Sequence, residues 1–261
     1  MHNIFEIEVP RGKAAVHWFG QSSYALKSTS GFVVLVDPYF PHVRPAERYI
    51  HPEPPVDEAE IPADLVLLTH DHRDHTCIET LARVHAASPK ARYVGPVESI
   101  NHIADAGIPA DRTTVIEAGE RATIGPVVVN AVYAKPPEGD PAADIQPPDV
   151  THLGYVVDLE GVRLYFSGDP INTFAEHEAL VSPVRELEPA VGFFTTHPTE
   201  GEFPFFEGSR KMARRVGVQT AVPAHYQCFV KRNYDPQEWA KGFGPGDPTP
   251  LIIGYNDTVL V

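Results

Sequence analysis

The chain has 261 residues, which is enough for a large hydrophobic core, and its 43% hydrophobic and 21% charged residues are ordinary for a globular protein. Its formal net charge of −14 repels polyanions and so excludes a general role in binding nucleic acid phosphates. The apolar runs are strand-length and the first residues lack a basic-then-apolar pattern, so we expect neither a membrane span nor a secretory signal. Cys77 and Cys228 each stand alone, which predicts a reducing cytoplasmic location without a disulfide framework.

Short runs rich in Val, Phe and Tyr, bounded by Gly, Pro or Asp, predict β-strands along the whole chain. In chain order these runs are AAVHWFG, SYALKS, GFVVLVDP, DLVLLTH, RYVGP, PVVVNAVYA, LGYVVDL, VRLYFSGD, VGFFTTH and TAVPAH. The residues DLEG at 158–161, which separate two of these runs, predict a hairpin turn.

Helical periodicity is found in fewer places, in three stretches and in one further turn at Pro236 to Trp239. The three stretches are 75–87, 96–106 (stopped by Gly107) and 208–216 (stopped by Gly217). About ten strands with a few helices predict two sheets packed face to face with helices on the outer faces. With no repeat or linker in the sequence, we expect a single domain over 1–261.

Two Pro-rich stretches, 39–62 and 135–149, are too long to be simple turns. Connections of this length often lie over a site as lids or binding loops, and they also occur as ordered excursions on the surface. The sequence supports both interpretations equally.

The stretch LVLLTHDHRDHT at 65–76 places His70, His72, Asp74 and His75 directly after an apolar strand. Histidine nitrogens and carboxylate oxygens are the usual ligands of zinc, iron and manganese, and the end of a strand holds them rigidly. The stretch therefore predicts half of a metal site. The alternative is a solvated helix N-terminus at which Asp74 is only the cap.

Further ligands are available at the ends of other predicted strands. Asp169 follows RLYFSG and His225 follows TAVPA, so each stands after an apolar strand and small residues. His152 opens the strand LGYVVDL and His197 closes VGFFTT, although a lone histidine beside a strand is as often a packing or surface residue. We expect Asp169 and His225 to join the cluster, and we leave both interpretations open for His152 and His197.

The motif H-x-H-x-D-H at 70–75, the Gly-Asp pair at 168–169 and the late strand-end His225 resemble the metallo-β-lactamase superfamily. The stretches HWFGQSSYALKSTSGFVVLVDPYF, ADLVLLTHDHRDH, GVRLYFSGD and VPAHYQCF are similar to its L-ascorbate-6-phosphate lactonase branch. The likeness covers most of the chain. It implies the α/β (α+β) class, a four-layer αββα sandwich and a metal-dependent hydrolase.

Applied to this sequence, the resemblance implies two divalent ions, Zn or Mn or else Fe, which are held by seven residues. These are His70 and His72 for the first ion, Asp74, His75 and His225 for the second, Asp169 as the bridge between the two, and His152 as a candidate further ligand of the first. Asp37 would not bind an ion and would orient a ligand histidine from behind. Many superfamily members carry another ligand histidine on the strand that reads VVVNAVYAKPP here, and this chain has none there. His152 or water would fill that position, and occupancy by a single metal stays open.

Two ions about 3.5–4 Å apart would hold a bridging hydroxide that attacks a small ester, a lactone or a sugar-lactone phosphate. Asp74 would aim this hydroxide, and His197 or His152 would protonate the leaving group. Cations at the mouth would bind a substrate phosphate, and Arg44, Lys135, Lys231 and Arg232 are the candidates, each of which also fits a solvated surface charge. The expected partner is a small-molecule substrate, with no nucleic acid and no membrane, and the sequence does not indicate an oligomeric state.

Two other functions remain open on the same residues. One is a phosphodiesterase or nuclease, which the charge of −14 and the lack of an evident basic groove disfavour. The other is a metal-binding relative without turnover, which has no need of an exposed bridging carboxylate at Asp169.

Overall fold

The structure is a computed structural model that describes residues 3–201 and 203–261. Fourteen strands among these residues form two seven-stranded sheets. The first sheet has the order β14-β1-β2-β3-β4-β5-β6, with β1 Ala15–Trp18, β2 Tyr24–Lys27, β3 Val33–Val36, β4 Leu65–Leu67, β5 Arg92–Gly95, β6 Thr113–Val115 and β14 Asp257–Leu260. The second sheet has the order β13-β12-β11-β10-β9-β8-β7, with β7 Arg121–Ile124, β8 Val127–Tyr133, β9 Leu153–Leu159, β10 Val162–Phe166, β11 Val191–Thr195, β12 Thr220–Ala224 and β13 Thr249–Pro250.

The two sheets face each other across an apolar core and carry helices on their outer faces. The helices are α1 Ile78–Ala87, α2 Val97–His102, α3 Glu178–Glu186, α4 Phe206–Val216 and α5 Pro236–Ala240. Alternate residues of β3 divide between the layers, because Val34 and Val36 join the core between the sheets while Val33 and Leu35 pack against Leu81 of α1. On the other side, Tyr165 and Phe194 belong to the cluster that includes α3, α4 and α5. The expected four-layer αββα sandwich is confirmed.

All ten predicted strands and the three predicted helical stretches are present. The hairpin at 158–161 joins β9 to β10 through Glu160 and Gly161, whose φ values of 55° and 95° suit a tight two-residue turn. The structure adds β6, β7, β13, β14 and α3, which the sequence analysis did not predict. These strands are edge or near-edge elements with half-exposed residues, and α3 contains Pro183, so their hydrophobic patterns are weak.

One edge of the sandwich collects the carboxyl ends of the strands that precede the candidate ligands. β3 and β4 are parallel neighbours in the first sheet, and β10, β11 and β12 are parallel neighbours in the second. β9 runs antiparallel to β10, so that its first residue lies at this same edge. This topology places residues 37, 70, 152, 169, 197 and 225 at one end of the molecule.

No helix among residues 3–201 and 203–261 is both long enough and apolar enough to cross a bilayer. Both cysteines are buried and unpaired, and they contact Tyr39 and Tyr49 in a small apolar cluster.

Candidate metal centre

The turn after β4 is held by its own hydrogen bonds rather than by a helix cap. The Thr76 hydroxyl donates to the His70 carbonyl over 2.9 Å, and the His75 amide donates to the His72 carbonyl over 2.9 Å. Helix α1 begins at Ile78 and has no side-chain cap, so the alternative role of Asp74 as a cap is wrong. The Asp74 carboxylate is free to face the cluster.

A buried carboxylate, Asp37, fixes this turn from behind. Asp37 follows β3 with a left-handed φ of 43°, and its side chain accepts the Thr69 amide over 2.8 Å and the Thr69 hydroxyl over 2.6 Å. The same carboxylate lies 2.7 Å from His75 Nδ1. Asp37 thus orients His75 so that Nε2 faces the cluster, as the resemblance implies.

The hydrogen bonds of Thr69 also determine which nitrogen of His70 carries a proton. The Thr69 hydroxyl has one proton and donates it to Asp37, so at 3.0 Å from His70 Nδ1 it can only accept. His70 Nδ1 is therefore protonated and Nε2 is a free lone pair. Buried Nε2 of His70 and of His75 have no hydrogen-bond partner, which is the state that a metal ligand requires.

Asp169 lies between the ring nitrogens of three histidines. Its Oδ2 is 3.7 Å from His70 Nε2 and 3.5 Å from His75 Nε2, and its Oδ1 is 3.6 Å from His225 Nε2. Gly168 makes this approach possible, since at its φ of 57° a Cβ would lie 2.4 Å from the Leu153 carbonyl oxygen. A carboxylate with its two oxygens facing two sides of a cluster is suited to bridging two ions.

The second side of the cluster is formed by Asp74 and His225. Asp74 Oδ2 lies 3.9 Å from His75 Nε2 and 3.7 Å from His225 Nε2. Between Asp74 and His225 the structure places Gln21, whose amide nitrogen is 2.7 Å from Asp74 Oδ2 and 2.7 Å from His225 Nε2. Gln21 was not predicted from the sequence, because glutamine is not among the usual metal ligands.

The first side of the cluster includes His152, which the sequence left undecided. Its ring stacks on His70 with centroids 4.0 Å apart and meets His72 edge-on at 5.0 Å. Neither nitrogen of the buried His152 ring has a hydrogen-bond partner. His152 is therefore in a position to supply the ligand that the resemblance leaves missing for the first ion.

Three overlapping groups of side chains could each hold a cation, with ligand atoms within 4.8 Å of one another. The groups are His70, His72 and His152; His70, His75 and Asp169; and Asp74, His75 and His225. The donors are imidazole nitrogens and carboxylate oxygens without thiolates, which fits Zn, Mn or Fe. The orphaned nitrogens of His70, His75 and His152 show that the residues fit metal ions.

The electrostatics of the cluster call for positive charge. Burial lowers the pKa of His70 well below its ordinary value, and His75 lowers it further. Burial also acts to lower the pKa of His75, but the carboxylates of Asp169 and Asp37 outweigh it and hold that pKa well above its ordinary value. Burial opposes the ionisation of Asp169, yet His75 and His225 keep the pKa of Asp169 well below its ordinary value. A cation bound beside Asp169 would satisfy the carboxylate that contributes most to raising the pKa of His75.

His197 lies outside the three groups. Its Nδ1 accepts the backbone amides of Thr199 and Glu200 over 3.2 and 3.0 Å, so the neutral ring carries its proton on Nε2. That buried Nε2 has no partner, and burial lowers the pKa of His197. The charge of Arg232 also acts to lower the pKa of His197 and that of His225.

A basic cavity of about 480 Å³ opens beside Asp74. It is lined by Glu47, Arg48, Arg73, Asp74, Phe229, Lys231 and Arg232, and we call it the basic cavity. Lys231 and Arg232 are two of the cations proposed from the sequence, whereas Arg48 and Arg73 were missed. Arg44, another proposed cation, is buried against Tyr49 and does not line this cavity.

A second cavity, of about 370 Å³, opens beside His152. Lys135 lines it together with apolar residues such as Ile116 and Tyr133, and Asp149 lines it while lying 3.1 Å from His72 Nε2. The two long Pro-rich stretches thus contribute walls to the two cavities, as their interpretation as binding loops predicts. A larger cavity of about 1020 Å³ lies at the opposite ends of the strands, away from the histidines.

Comparison with known proteins identifies relatives. The family model described as "Beta-lactamase superfamily domain" matches residues 33–226. A protein named as a metal-dependent hydrolase from Myxococcus xanthus is 28% identical over 225 residues, which are 84% of this chain and 72% of the relative. A probable L-ascorbate-6-phosphate lactonase from Salmonella heidelberg is 25% identical over 188 residues, 67% of this chain, and the match spans 52% of the lactonase.

Solved structures share the fold over nearly the whole chain. A metallo hydrolase from the archaeon Ignicoccus hospitalis has a TM-score of 0.71 at 18% identity, covering 95% of this chain and 98% of the other. An isothiocyanate hydrolase from Delia radicum gut bacteria has a TM-score of 0.73 at 17% identity, covering 94% and 98%. At these identities the likeness concerns the fold.

The buried, uncharged state of His152 leads to a testable pH dependence of stability. Burial and then Lys135 lower the pKa of His152 to about 3. The unfolded chain takes up a proton here below about pH 6.5 and the folded chain does not, so this contribution to stability is present above pH 6.5 and is lost as the pH falls.

We expect His152→Asn to remove this pH dependence from the ion-free protein. Between pH 6.5 and 4.5 the free energy of unfolding of the unsubstituted chain should fall by about 2 kcal/mol more than that of the variant. Urea unfolding in EDTA at several pH values measures it. His102→Asn, at a side chain that is 43% exposed, is the control and should keep the original slope. Equal slopes for the chain and His152→Asn would contradict the expectation.

Proposed function

We propose that the chain uses two divalent ions to hydrolyse a small anionic ester, a lactone or a sugar-lactone phosphate. The starting point is that the chain belongs to the metallo-β-lactamase superfamily and is a metal-dependent hydrolase. One observation carries the proposal: buried lone pairs of three histidines and a carboxylate converge beside a cavity lined with cations. When bound, the two ions would lower the pKa of water and polarise the substrate carbonyl.

The ligand assignment follows the three groups of the candidate centre. The group with His70, His72 and His152 would hold the first ion, and the group with Asp74, His75 and His225 would hold the second. Asp169 would bridge them, because its two oxygens face His70 and His225 separately. Zinc and manganese both suit these donors, and iron does as well.

Two of the chain's own groups would then serve the reaction. Asp74 is only partly buried, with 19% of its side chain exposed, so its carboxylate can accept a proton from an attacking water at the mouth. His197 holds an N–H on a neutral ring whose other nitrogen is saturated by two backbone amides. Such a donor can hydrogen-bond the departing oxygen without changing tautomer.

The basic cavity supports an anionic substrate. Four cationic side chains and two carboxylates line it, on a chain whose formal net charge is −14. A positively charged cavity on a negatively charged chain attracts small anions. Its volume of about 480 Å³ is in the range of small-molecule sites. The relative from Salmonella heidelberg is named as a probable L-ascorbate-6-phosphate lactonase, and the phosphorylated lactone in that name agrees with this substrate class.

A phosphodiesterase is the alternative on the same scaffold, because a phosphodiester is also a small anion. The compact cavity disfavours a polymer, which would need a basic groove that extends along the surface. The substrate panel below separates the alternatives. The cytoplasmic location stays a prediction from the two unpaired cysteines.

The function is tested by metal content together with a substrate panel. We expect protein purified without chelator to contain up to two transition metal ions per chain and to lose activity in EDTA, because the chelator withdraws the ions that the proposed ligands hold. The panel contains a phosphorylated lactone, its unphosphorylated form, a phosphodiester, and an isothiocyanate as a neutral electrophile. Hydrolysis of the phosphorylated lactone should exceed that of the neutral form at least tenfold in kcat/KM.

Two outcomes of the panel would overturn the proposal. A metal content below about 0.2 ions per chain that Mn²⁺ and Zn²⁺ do not restore would exclude the metal-dependent reaction. Preference for the phosphodiester over every lactone would replace the substrate class by the alternative.

Asp74→Ala should abolish turnover while the fold survives. Asp74 lies in a turn that it does not cap, so its removal leaves the backbone bonds of residues 70–76 intact. The rate should fall at least 100-fold, the low end of the contribution of general base catalysis. Thermal unfolding should stay close to that of the ion-free unsubstituted chain. Asp71→Asn is the matched control, since Asp71 bonds His102 outside the cluster, and unchanged activity of Asp74→Ala would contradict its role.

Neutralising one cation of the basic cavity should weaken the binding of an anionic substrate selectively. We expect Lys231→Met to raise KM for the phosphorylated lactone about fivefold, equivalent to about 1 kcal/mol, and to leave KM for the neutral lactone unchanged. Lys241→Met changes the net charge equally, but Lys241 pairs with Glu238 outside the cavity. If both variants raise KM equally, the cavity does not bind the anion.

A further inference from the structure

The buried side chain of Gln21 lies between Asp74 and His225, two of the proposed ligands. Its amide nitrogen is hydrogen-bonded, whereas its amide oxygen is not. The two protons of Gln21 Nε2 reach Asp74 Oδ2 and His225 Nε2, each over 2.7 Å. Gln21 Oε1 is buried and has no hydrogen-bond partner. Two of the three ligand atoms proposed for the second ion thus accept amide protons, so a cation can use these two atoms only if the amide moves.

The smallest movement is a half-turn of the planar amide, which exchanges its oxygen and nitrogen. The oxygen would then lie where the nitrogen is now, about 2.7 Å from both Asp74 Oδ2 and His225 Nε2. An oxygen in that place repels the carboxylate unless a cation lies between them. The amide atom that faces away from Asp74 and His225 has no hydrogen-bond partner in either orientation. The contact between the amide oxygen and a cation therefore decides which orientation is favoured.

We propose that Gln21 is a ligand of the second ion through Oε1, and that this oxygen favours Mn²⁺ over Zn²⁺. The inference rests on the proposed function, because it concerns the Asp74, His75 and His225 group. Asp74 supplies a carboxylate oxygen to that group, and the carbonyl of Gln21 would add a second oxygen donor beside it. Carboxylate and carbonyl oxygens suit Mn²⁺, whereas imidazole nitrogens suit Zn²⁺.

The backbone of Gln21 is held independently of its side chain. Its carbonyl accepts the Trp18 indole N–H over 3.0 Å and the His225 amide over 3.1 Å, and its own amide donates to Tyr226 over 2.9 Å. Its φ of 55° is left-handed, a region that Asn also populates readily. Gln21→Asn therefore keeps the amide chemistry and suits the backbone, and it withdraws the amide by one methylene.

The test measures metal binding in the absence of substrate. Ion-free chain is titrated with Mn²⁺ and with Zn²⁺ in competition with a chelator, for the unsubstituted protein and for Gln21→Asn, Gln21→Ala and Gln21→Glu. We expect Gln21→Asn and Gln21→Ala to weaken one of two Mn²⁺ sites at least tenfold and the other less than twofold. Zn²⁺ binding should weaken less than threefold. Gln21→Glu, which supplies an oxygen in either orientation, should retain tight Mn²⁺ binding.

The control is Gln227→Ala, the same truncation at a residue that also has a left-handed φ, of 59°, and whose side chain contacts His51 rather than the cluster. It should bind both ions like the unsubstituted chain. Mn²⁺ affinities of Gln21→Asn and Gln21→Ala within twofold of the original, or tighter, would overturn the inference, since a tighter site would mean that the amide competes with the ion.

The two proposals fail in different ways. An unsubstituted chain that binds two ions and hydrolyses the lactone, together with unaffected Gln21 variants, removes only the role of Gln21. An unsubstituted chain that binds no ions removes both.

Discussion

The buried carboxylate of Asp37 orients two histidines of the candidate centre, His70 and His75. It lies between a sheet and the turn that follows β4. It accepts two hydrogen bonds from Thr69 and lies 2.7 Å from His75 Nδ1. By taking the only hydroxyl proton of Thr69 it also fixes the tautomer of His70, a residue that it does not touch. Burial raises the pKa of Asp37, and His75 and Thr69 act against this rise. Asp37 thus orients the lone pairs of His70 and His75 towards the cluster of candidate ligands.

The two sides of the centre differ in chemistry. The first side has three imidazoles, from His70, His72 and His152, whereas the second has the Asp74 carboxylate and the neighbouring Gln21 amide beside its histidines. Nitrogen-rich sites suit Zn, and oxygen-rich sites suit Mn and other harder ions. Under the proposed ligand assignment the two sides would favour different metals, which is a distinction that the H-x-H-x-D-H motif alone does not contain.

How far the sequence predicts the molecule depends on whether a feature is local. The ten predicted strands have strong apolar patterns and the candidate ligands follow such strands directly, so parallel topology brings them together. The contributions of Gln21 and Arg73 were missed, because neither residue type signals a ligand or a binding site by itself. The place of His152 stayed undecided, since only the antiparallel pairing of β9 with β10 brings its ring to His70. The edge strands were missed because they are short and half-exposed, and α3 was missed because Pro183 lies inside it.

Rigidity and variation are divided between the strands and the loops of this molecule. The proposed ligands stand at strand ends fixed by the ladders of two sheets, whereas the connections 39–62 and 135–149 contribute part of the cavity walls. Asp149 in the second connection reaches His72, and Arg48 in the first lines the basic cavity, so each loop adds charge next to a different side of the centre. A change of loop sequence can therefore alter the charge that a substrate meets without disturbing the Asp37 network. In the proposed function, bond cleavage would depend on the strand ends and the choice of substrate would depend on the loops.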